Sequence, residues 1–378
     1  MKSIKPLLAG LLSAAVLAAC GGSDSADLRS MVSFGDSLSD VGTYKVGTVA
    51  QLGGGKFTIN GVDGKVWAEY LAEAINVAAP CAARTGMLPN APGITGAPVI
   101  DIAACTNYAQ GSSRVTSSGT GPNGVGLQVY GLQNLGFMAD SLRDQMNRHL
   151  TKIGGAYSGT ELVTVNAGGN DLFMQLNGLG SAAGGGQAAA IGGTIALWPP
   201  ATITTVTAGG ANAVNAAGAA AVAAMGQAGA ELAGYIKTLV VAKGAQYIVV
   251  RNLADVNLTP FGLTLDAGTR GLITSMSQAF NSQLVSGLSG VQGIVLLDDY
   301  AQSAAVAANP ASFGYSNVVG VACGNNAFGG SSLVCTTANL IAGNTSTYAF
   351  ADSVHPTPYA NQKEAAVALE AMARVGWR

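Results

Sequence analysis

Ser30-Met31-Val32-Ser33-Phe34-Gly35-Asp36-Ser37-Leu38 is the stretch from which the fold of this chain can be inferred. Its first five residues are a short, mainly apolar run, a pattern typical of a strand buried on both faces. Gly35 permits a sharp turn, so Ser37 is expected just past the carboxyl end of that strand. Side chains at this position face the crevice where parallel α/β sheets bind ligands.

Similar runs recur along the chain, and helical patterns alternate with them. The further predicted strands are residues 161–165, 246–250 and 293–297. The predicted helices are residues 67–75, 138–150, 212–243, 268–288 and 361–375. Alternation of this kind predicts an α/β domain with a parallel sheet covered on both faces, rather than a β-sandwich.

The composition sets limits on the class of protein. Of 378 residues, 49% are hydrophobic and 10% are charged, which excludes a disordered chain. Lys and Arg number 18 against 20 Asp and Glu, so there is no basic surplus for a nucleic-acid partner. We expect a single domain over residues 30–378.

The first residues have the pattern of an export signal. Two lysines precede an apolar run over residues 7–19, which is shorter than the roughly 20 residues needed to span a bilayer. The run ends in Leu17-Ala18-Ala19-Cys20-Gly21, which resembles a bacterial lipobox with Cys20 as the lipidated residue. We predict a signal peptide over 1–19 and a tether over 20–29. The product is an outer-membrane lipoprotein, with the lipid as its only membrane contact, or a secreted protein in which Cys20 is incidental.

Four cysteines remain after the signal: Cys81, Cys105, Cys323 and Cys335. An even number in an exported chain indicates disulfides, and proximity favours Cys81–Cys105 and Cys323–Cys335. A zinc site is rejected because the sequence has no Cys-x-x-Cys pair and only two histidines. We expect no metal.

The last loop supplies partners for the serine. Asp352 precedes His355 by three residues, just ahead of the last predicted helix. Asp352 can accept from the Nδ1–H of His355, which leaves Nε2 to take the proton of Ser37. The other histidine, His149, lies among polar residues near a helix end and is predicted at the surface.

Two small-residue segments are candidates for an oxyanion hole. Asn107-Tyr108-Ala109-Gln110-Gly111 ends in a loop that suits a backbone N–H donor, and Asn170 follows the second strand in 165–171. Together with the N–H of Ser37, these groups can donate to a developing oxyanion. Taken alone, Gly168-Gly169-Asn170-Asp171 is more typical of a simple turn.

These four blocks, in this order, resemble the SGNH/GDSL hydrolases. The likeness is to the bacterial extracellular branch of esterases, lipases, phospholipases and lecithinase/haemolysin-type enzymes. It implies a flavodoxin-like three-layer α/β/α fold, with Ser37 as nucleophile, Asp352 and His355 as acid and base, and Ser37, Gly111 and Asn170 as the oxyanion hole. The rival α/β-hydrolase fold requires Gly-x-Ser-x-Gly, which this sequence lacks.

The resemblance implies an exported ester hydrolase that needs no cofactor and acts on a lipid-like or small acyl ester. Two alternatives remain open at this point. The same site would act as an acyltransferase if an alcohol reached the acyl-enzyme before water. A surface lipoprotein that keeps the fold without catalysis is the other alternative, because fold alone does not establish activity.

Two segments fall outside the strand–helix alternation. Residues 80–100 are rich in Pro, Gly and Ala and are predicted as a surface loop. The Gly/Ala/Thr tract over 178–210 is interpreted as a surface insertion, or as a mobile flap over a substrate groove because Trp198 would be costly to expose. Trp198, Phe261 and Leu263 suit an apolar acyl groove, but we expect the last two to belong to the core instead.

Overall fold

A computed structural model describes residues 26–87, 93–115 and 139–378. The predicted signal peptide, Cys20 and the first part of the tether lie outside the described residues, so these interpretations remain expectations. Within the described part of the chain, no helix is long and apolar enough to cross a membrane.

The strands are β1 Ser30–Gly35, β2 Arg84–Met87, β3 Ala97–Asp101, β4 Glu161–Asn166, β5 Tyr247–Arg251, β6 Ile294–Leu297, β7 Asn317–Val321 and β8 Tyr348–Phe350. The α-helices are α1 Gly47–Gln51, α2 Trp67–Ala74, α3 Leu142–Lys152, α4 Gly169–Gly184, α5 Gly186–Ile195, α6 Pro200–Ala208, α7 Ala211–Tyr235, α8 Pro260–Leu263, α9 Ala267–Leu288, α10 Asp299–Ala308 and α11 Pro358–Arg374.

The central sheet is parallel, with strand order β1-β4-β5-β6. These are the four predicted strands, and their bounds agree with the prediction to within one residue. On the free side of β1, the N–H of Ser33 donates to Thr106 O and the N–H of Tyr108 donates to Ser33 O. This parallel bridge places residues 106–108 beside β1, so the loop that follows them lies at the carboxyl end of the sheet.

Alternate side chains of each strand point to opposite faces of the sheet. Both faces are apolar, and a layer of helices covers each of them. On one face, Val32, Val163 and Ile248 pack in a core formed with α3, α7 and α9. On the other face, Met31 and Leu162 pack against α2 and α11. The predicted three-layer α/β/α architecture with a central parallel sheet is confirmed.

The Gly/Ala/Thr tract over 178–210 is helical, which the sequence analysis did not predict. It comprises the end of α4, then α5 and α6. Trp198 is buried, and its Nε1–H donates to Gln175 Oε1 at 2.6 Å, while Gln175 Nε2 donates to Ala196 O. Trp198 therefore connects the tract to α4. Because its side chain is buried by the tract itself, it gives no reason to infer a flap over the site.

Both predicted cysteine pairs form disulfides, Cys81–Cys105 and Cys323–Cys335. The prediction of a surface loop over residues 80–100 is wrong in part, because β2 and β3 pair there as an antiparallel hairpin. The first disulfide joins Cys81, just before the hairpin, to Cys105, just before the segment beside β1.

Candidate active site

The structure brings Ser37, His355 and Asp352 into one hydrogen-bonded row. Ser37 lies in the turn after β1, and the other two lie in the loop between β8 and α11. His355 Nε2 is 2.9 Å from Ser37 Oγ, and His355 Nδ1 is 2.9 Å from both carboxylate oxygens of Asp352. The loop ends where Thr357 caps α11, with its side chain accepting from the N–H of Ala360. This geometry allows Ser37 to pass a proton to His355.

Asp352 is held as a carboxylate despite being buried. Burial favours the neutral acid, but the adjacent His355, together with backbone N–H groups, holds the pKa of Asp352 well below its usual range. The donors are the N–H groups of Ser332 at 2.8 Å, Val354 at 3.0 Å and His355 at 2.8 Å. A charged Asp352 can stabilise the imidazolium that forms when Ser37 is deprotonated.

Gln145 of α3 joins the nucleophile turn to the loop that follows residue 110. Its side chain bonds both backbone groups of Gly35 at 2.9 Å, accepting from the N–H and donating to the carbonyl. The same Nε2 donates to Ser113 Oγ at 2.9 Å. Gln145 was not singled out by the sequence, although it shares the helical spacing of buried Leu142 and Met146.

Asn170 lies in the first turn of α4 and lines the same cavity as Ser37. Its Nδ2 donates one hydrogen to Ser113 O at 2.9 Å. A side-chain amide has two N–H donors, so the second remains for a ligand. The N–H of Ser37 makes no hydrogen bond with any residue that the structure describes. Ser37 and Asn170 therefore remain candidate oxyanion donors in the wall of one cavity.

The predicted donor at Gly111 requires a correction. Its N–H donates to Asp40 Oδ2 at 2.9 Å, and its carbonyl accepts from the hydroxyl of Tyr44 at 2.7 Å. A backbone N–H has one hydrogen. Because that of Gly111 already bonds Asp40, it is not available to a substrate oxygen. Asp40 is buried, and this burial raises its pKa to about 6. The second acidic residue of the Asp36-Ser37-Leu38-Ser39-Asp40 run is thus structural, a role that the sequence analysis missed.

The next residue, Ser112, lines the cavity in place of Gly111. It has a φ of 84°, a left-handed conformation that glycine adopts without strain and serine rarely adopts. Its N–H makes no hydrogen bond with the described residues. Ser112 is therefore the candidate for the backbone donor that the sequence analysis assigned to Gly111.

The site opens into a cavity of about 880 Å³. Ser37, Asn170 and His355 lie in its wall, and much of the remainder is apolar, including Phe173, Leu253, Val256, Phe261, Val306 and Phe328. Of the three residues proposed for an acyl groove, only Phe261 lines this cavity. Leu263 is 38% exposed, so the prediction that it belongs to the core is wrong.

Charged groups in the cavity wall are largely committed to protein partners. Arg251 is buried, with Asp299 at 2.7 Å and Glu364 at 2.8 Å, and its guanidinium lies 4.8 Å from the ring of Trp67. Asp36 precedes the nucleophile and accepts from the N–H of Leu38; burial raises its pKa to about 6. The arrangement leaves the apolar wall as the main contact surface for a ligand.

His149 is buried, which contradicts the prediction of a surface residue. It is 2% exposed, and its ring packs against those of Phe34, Tyr108 and Tyr157. The reason is the register of α3, where residue 149 shares the inward face with Leu142. Burial lowers the pKa of His149 to about 4, so the side chain is neutral and lies away from the candidate site.

A serine, a histidine and a carboxylate in hydrogen-bonded order, beside backbone and amide donors, are the arrangement found in serine hydrolases. Here they stand at the carboxyl edge of a parallel sheet in an α/β/α domain. The chain matches the family GDSL-like Lipase/Acylhydrolase over residues 31–367, and it belongs to this family. Membership supports ester hydrolysis as the general activity. A search of curated proteins found no match.

Proposed function

We propose that this protein hydrolyses carboxylic esters through an acyl-enzyme on Ser37. The observation that supports the proposal most strongly is the 2.9 Å contact between Ser37 Oγ and His355 Nε2, with Asp352 behind the imidazole. A serine hydroxyl is a weak nucleophile, and a base within hydrogen-bond reach is what activates it.

The reaction has two halves. Ser37 Oγ bonds to the acyl carbon while its proton passes to His355 Nε2. The tetrahedral oxyanion accepts from the N–H groups of Ser37 and Ser112 and from the Asn170 amide. It collapses with cleavage of the C–O bond, and His355 returns the proton to the leaving alcohol. Water then attacks the acyl-enzyme with His355 as base, which releases the acid and restores Ser37.

The apolar wall supports esters with an aliphatic acyl chain or alcohol as substrates. Phe173, three residues after Asn170 in α4, and Phe261 form an edge-to-face pair with ring centroids 5.5 Å apart in the cavity wall. Burying a methylene group against such a wall stabilises binding by about 0.8 kcal/mol. Affinity should therefore rise with chain length until the cavity is filled.

The test is hydrolysis of a p-nitrophenyl ester series, from acetate to palmitate, by the purified protein. Ser37→Ala, His355→Ala and Asp352→Asn are measured beside it. The proposal predicts activity that is lost in the first two variants and strongly reduced in the third. A well-folded protein with no activity on any ester would instead favour the non-catalytic alternative.

Export belongs to the same proposal. The two disulfides support an oxidising compartment, because such bonds rarely persist in the cytosol. The lipidated form is tested by metabolic labelling with palmitate: label should enter the full-length chain and be absent from Cys20→Ser. Label retained in Cys20→Ser would contradict lipidation at that residue.

A further inference from the structure

Phe57 packs directly on the imidazole of His355. The two ring centroids are 4.9 Å apart, with 34° between the ring planes, and Phe57 is 2% exposed. The phenyl ring also meets Tyr44 edge to face at 6.3 Å. Phe57 belongs to none of the motifs in the sequence and lies in the turn region between α1 and α2.

Gly111 lies against the same phenyl ring. A Cβ placed on Gly111 would lie 2.4 Å from both Cε2 and Cζ of Phe57, which is too close for non-bonded carbon atoms. Gly111 has no left-handed φ, so its backbone conformation does not require glycine. Its N–H and carbonyl are held by Asp40 and Tyr44, so the backbone cannot retreat from the ring without breaking these bonds. Glycine is required here mainly because of Phe57, since the other near atom, Cε2 of Tyr44, would lie 3.1 Å from that Cβ.

The hydrogen bonds of His355 leave one motion of its ring uncontrolled. Bonds at Nδ1 and Nε2 fix the line through these two atoms, but the ring can still tilt about that line. A flat group packed on one face opposes this tilt. The aromatic face also attracts the imidazolium that forms when Ser37 is deprotonated.

We propose that Phe57 is a positioning residue that holds the His355 imidazole in line with Ser37, and that Gly111 is glycine to admit its ring. This inference rests on the proposed function, since it assigns Phe57 a role in that same proton transfer. Phe57 also lines the cavity wall. The role assigned to it here acts through His355 and the turnover step, so loss of the ring should change kcat more than KM.

The first test is Phe57→Leu, with kcat and KM measured on a short p-nitrophenyl ester. Misplacing a catalytic group by about 1 Å costs up to about a hundredfold, so we expect kcat to fall between tenfold and a hundredfold. KM should stay within about twofold, because transition-state and not ground-state contacts are lost. Phe173→Leu is the matched control: it removes a ring from the same cavity without touching His355, and its main effect should be on KM.

The second test is a double-mutant cycle with Gly111→Ala. The added methyl group should push the Phe57 ring and lower kcat about as much as Phe57→Leu does. In the double variant the smaller leucine makes room for the methyl group, so the two losses should not multiply. Multiplying losses would show that Gly111 acts independently of Phe57.

Phe57→Met, which keeps much of the volume but has no flat face, covers the case in which Phe57→Leu does not fold. Either variant with normal melting temperature and unchanged kcat would overturn the inference. The proposed function fails separately: its failure would appear in the natural protein, either as no ester hydrolysis at all or as hydrolysis that survives in Ser37→Ala.

Discussion

The backbone N–H of Ser332 donates to Oδ2 of Asp352 at 2.8 Å. Ser332 stands three residues before Cys335, whose disulfide with Cys323 closes the segment that carries this donor. The carboxylate that orients His355 is therefore supported from outside its own loop. A covalent link far from Ser37 in the sequence contributes to the geometry of the candidate site.

The two disulfides should differ in their effect on activity. Removing either with a Cys→Ser pair should lower stability by about 2–4 kcal/mol. Cys323→Ser with Cys335→Ser should also lower kcat, because the Ser332 donor to Asp352 becomes less well fixed. The control is the double variant Cys81→Ser with Cys105→Ser. Assayed at a temperature where it is still folded, it should show little change in kcat. Equal kcat values for the two double variants would contradict this role.

Asn170→Ala should lower kcat far more than it raises KM. The loss of one oxyanion donor costs about 10²–10³ in rate, since the donor acts on charge that exists only in the transition state. Steady-state kinetics on a short ester measures it, with the melting temperature as a check on the lost bond to Ser113. A variant in which only KM changes would place Asn170 in ground-state binding instead.

His149 should make the protein sensitive to acid. Its pKa is about 4 in the folded state against about 6.5 in the unfolded chain, so both states are neutral above pH 6.5. As pH falls below 6.5, the unfolded state binds the proton first and stability is lost. Between pH 6.5 and 5 this amounts to about 2 kcal/mol.

Urea unfolding at pH 7 and pH 5 measures this effect, with His149→Phe as the reference. The phenyl ring keeps the packing and cannot titrate, so the variant should lose less stability between the two pH values than the natural protein does. Raised pKa values at Asp36 and Asp40 act in the opposite direction, but they are common to both proteins and cancel in the comparison. Equal losses would show that His149 does not carry the acid sensitivity.

Trp198→Ala should loosen the helical tract over 178–210 without unfolding the sheet. Truncating a buried aromatic residue costs about 3–5 kcal/mol. Here the loss falls on α5 and α6, whose contact with α4 depends on Trp198 and its bond to Gln175. Hydrogen exchange should rise in these helices and stay slow in β1 and β4. Uniformly faster exchange would mean that the tract is part of the global folding unit.

The sheet was predictable because its strands are buried on both faces. A short continuous apolar run such as that of β6 is typical of a strand in a covered parallel sheet, and glycine or polar residues mark the ends of such runs. The contact of Ser37 with His355 was foreseen in kind, since each follows a recognisable motif. The sequence did not predict the distance between the two side chains or how deeply they are buried.

The errors arose where tertiary contacts decide the outcome. The tract over 178–210 has weak helix signals of its own, and its helices are stabilised by a tertiary contact, that of the buried Trp198 with Gln175 of α4. His149 was misplaced because a helix end was considered without the face it presents to the sheet. The direction of the Gly111 N–H depends on Asp40, a partner 71 residues away. A motif specifies residue types but does not specify which atom a single N–H will meet.

Covalent trapping of Ser37 tests the central claim most directly. The purified protein is treated with an alkyl p-nitrophenyl phosphonate, which mimics the tetrahedral intermediate, and its peptides are mapped by mass spectrometry. We predict one adduct per chain, on the peptide that contains Ser37, together with complete loss of ester hydrolysis and much slower labelling of His355→Ala. An adduct on another residue, or hydrolysis that survives full labelling of Ser37, would contradict the account.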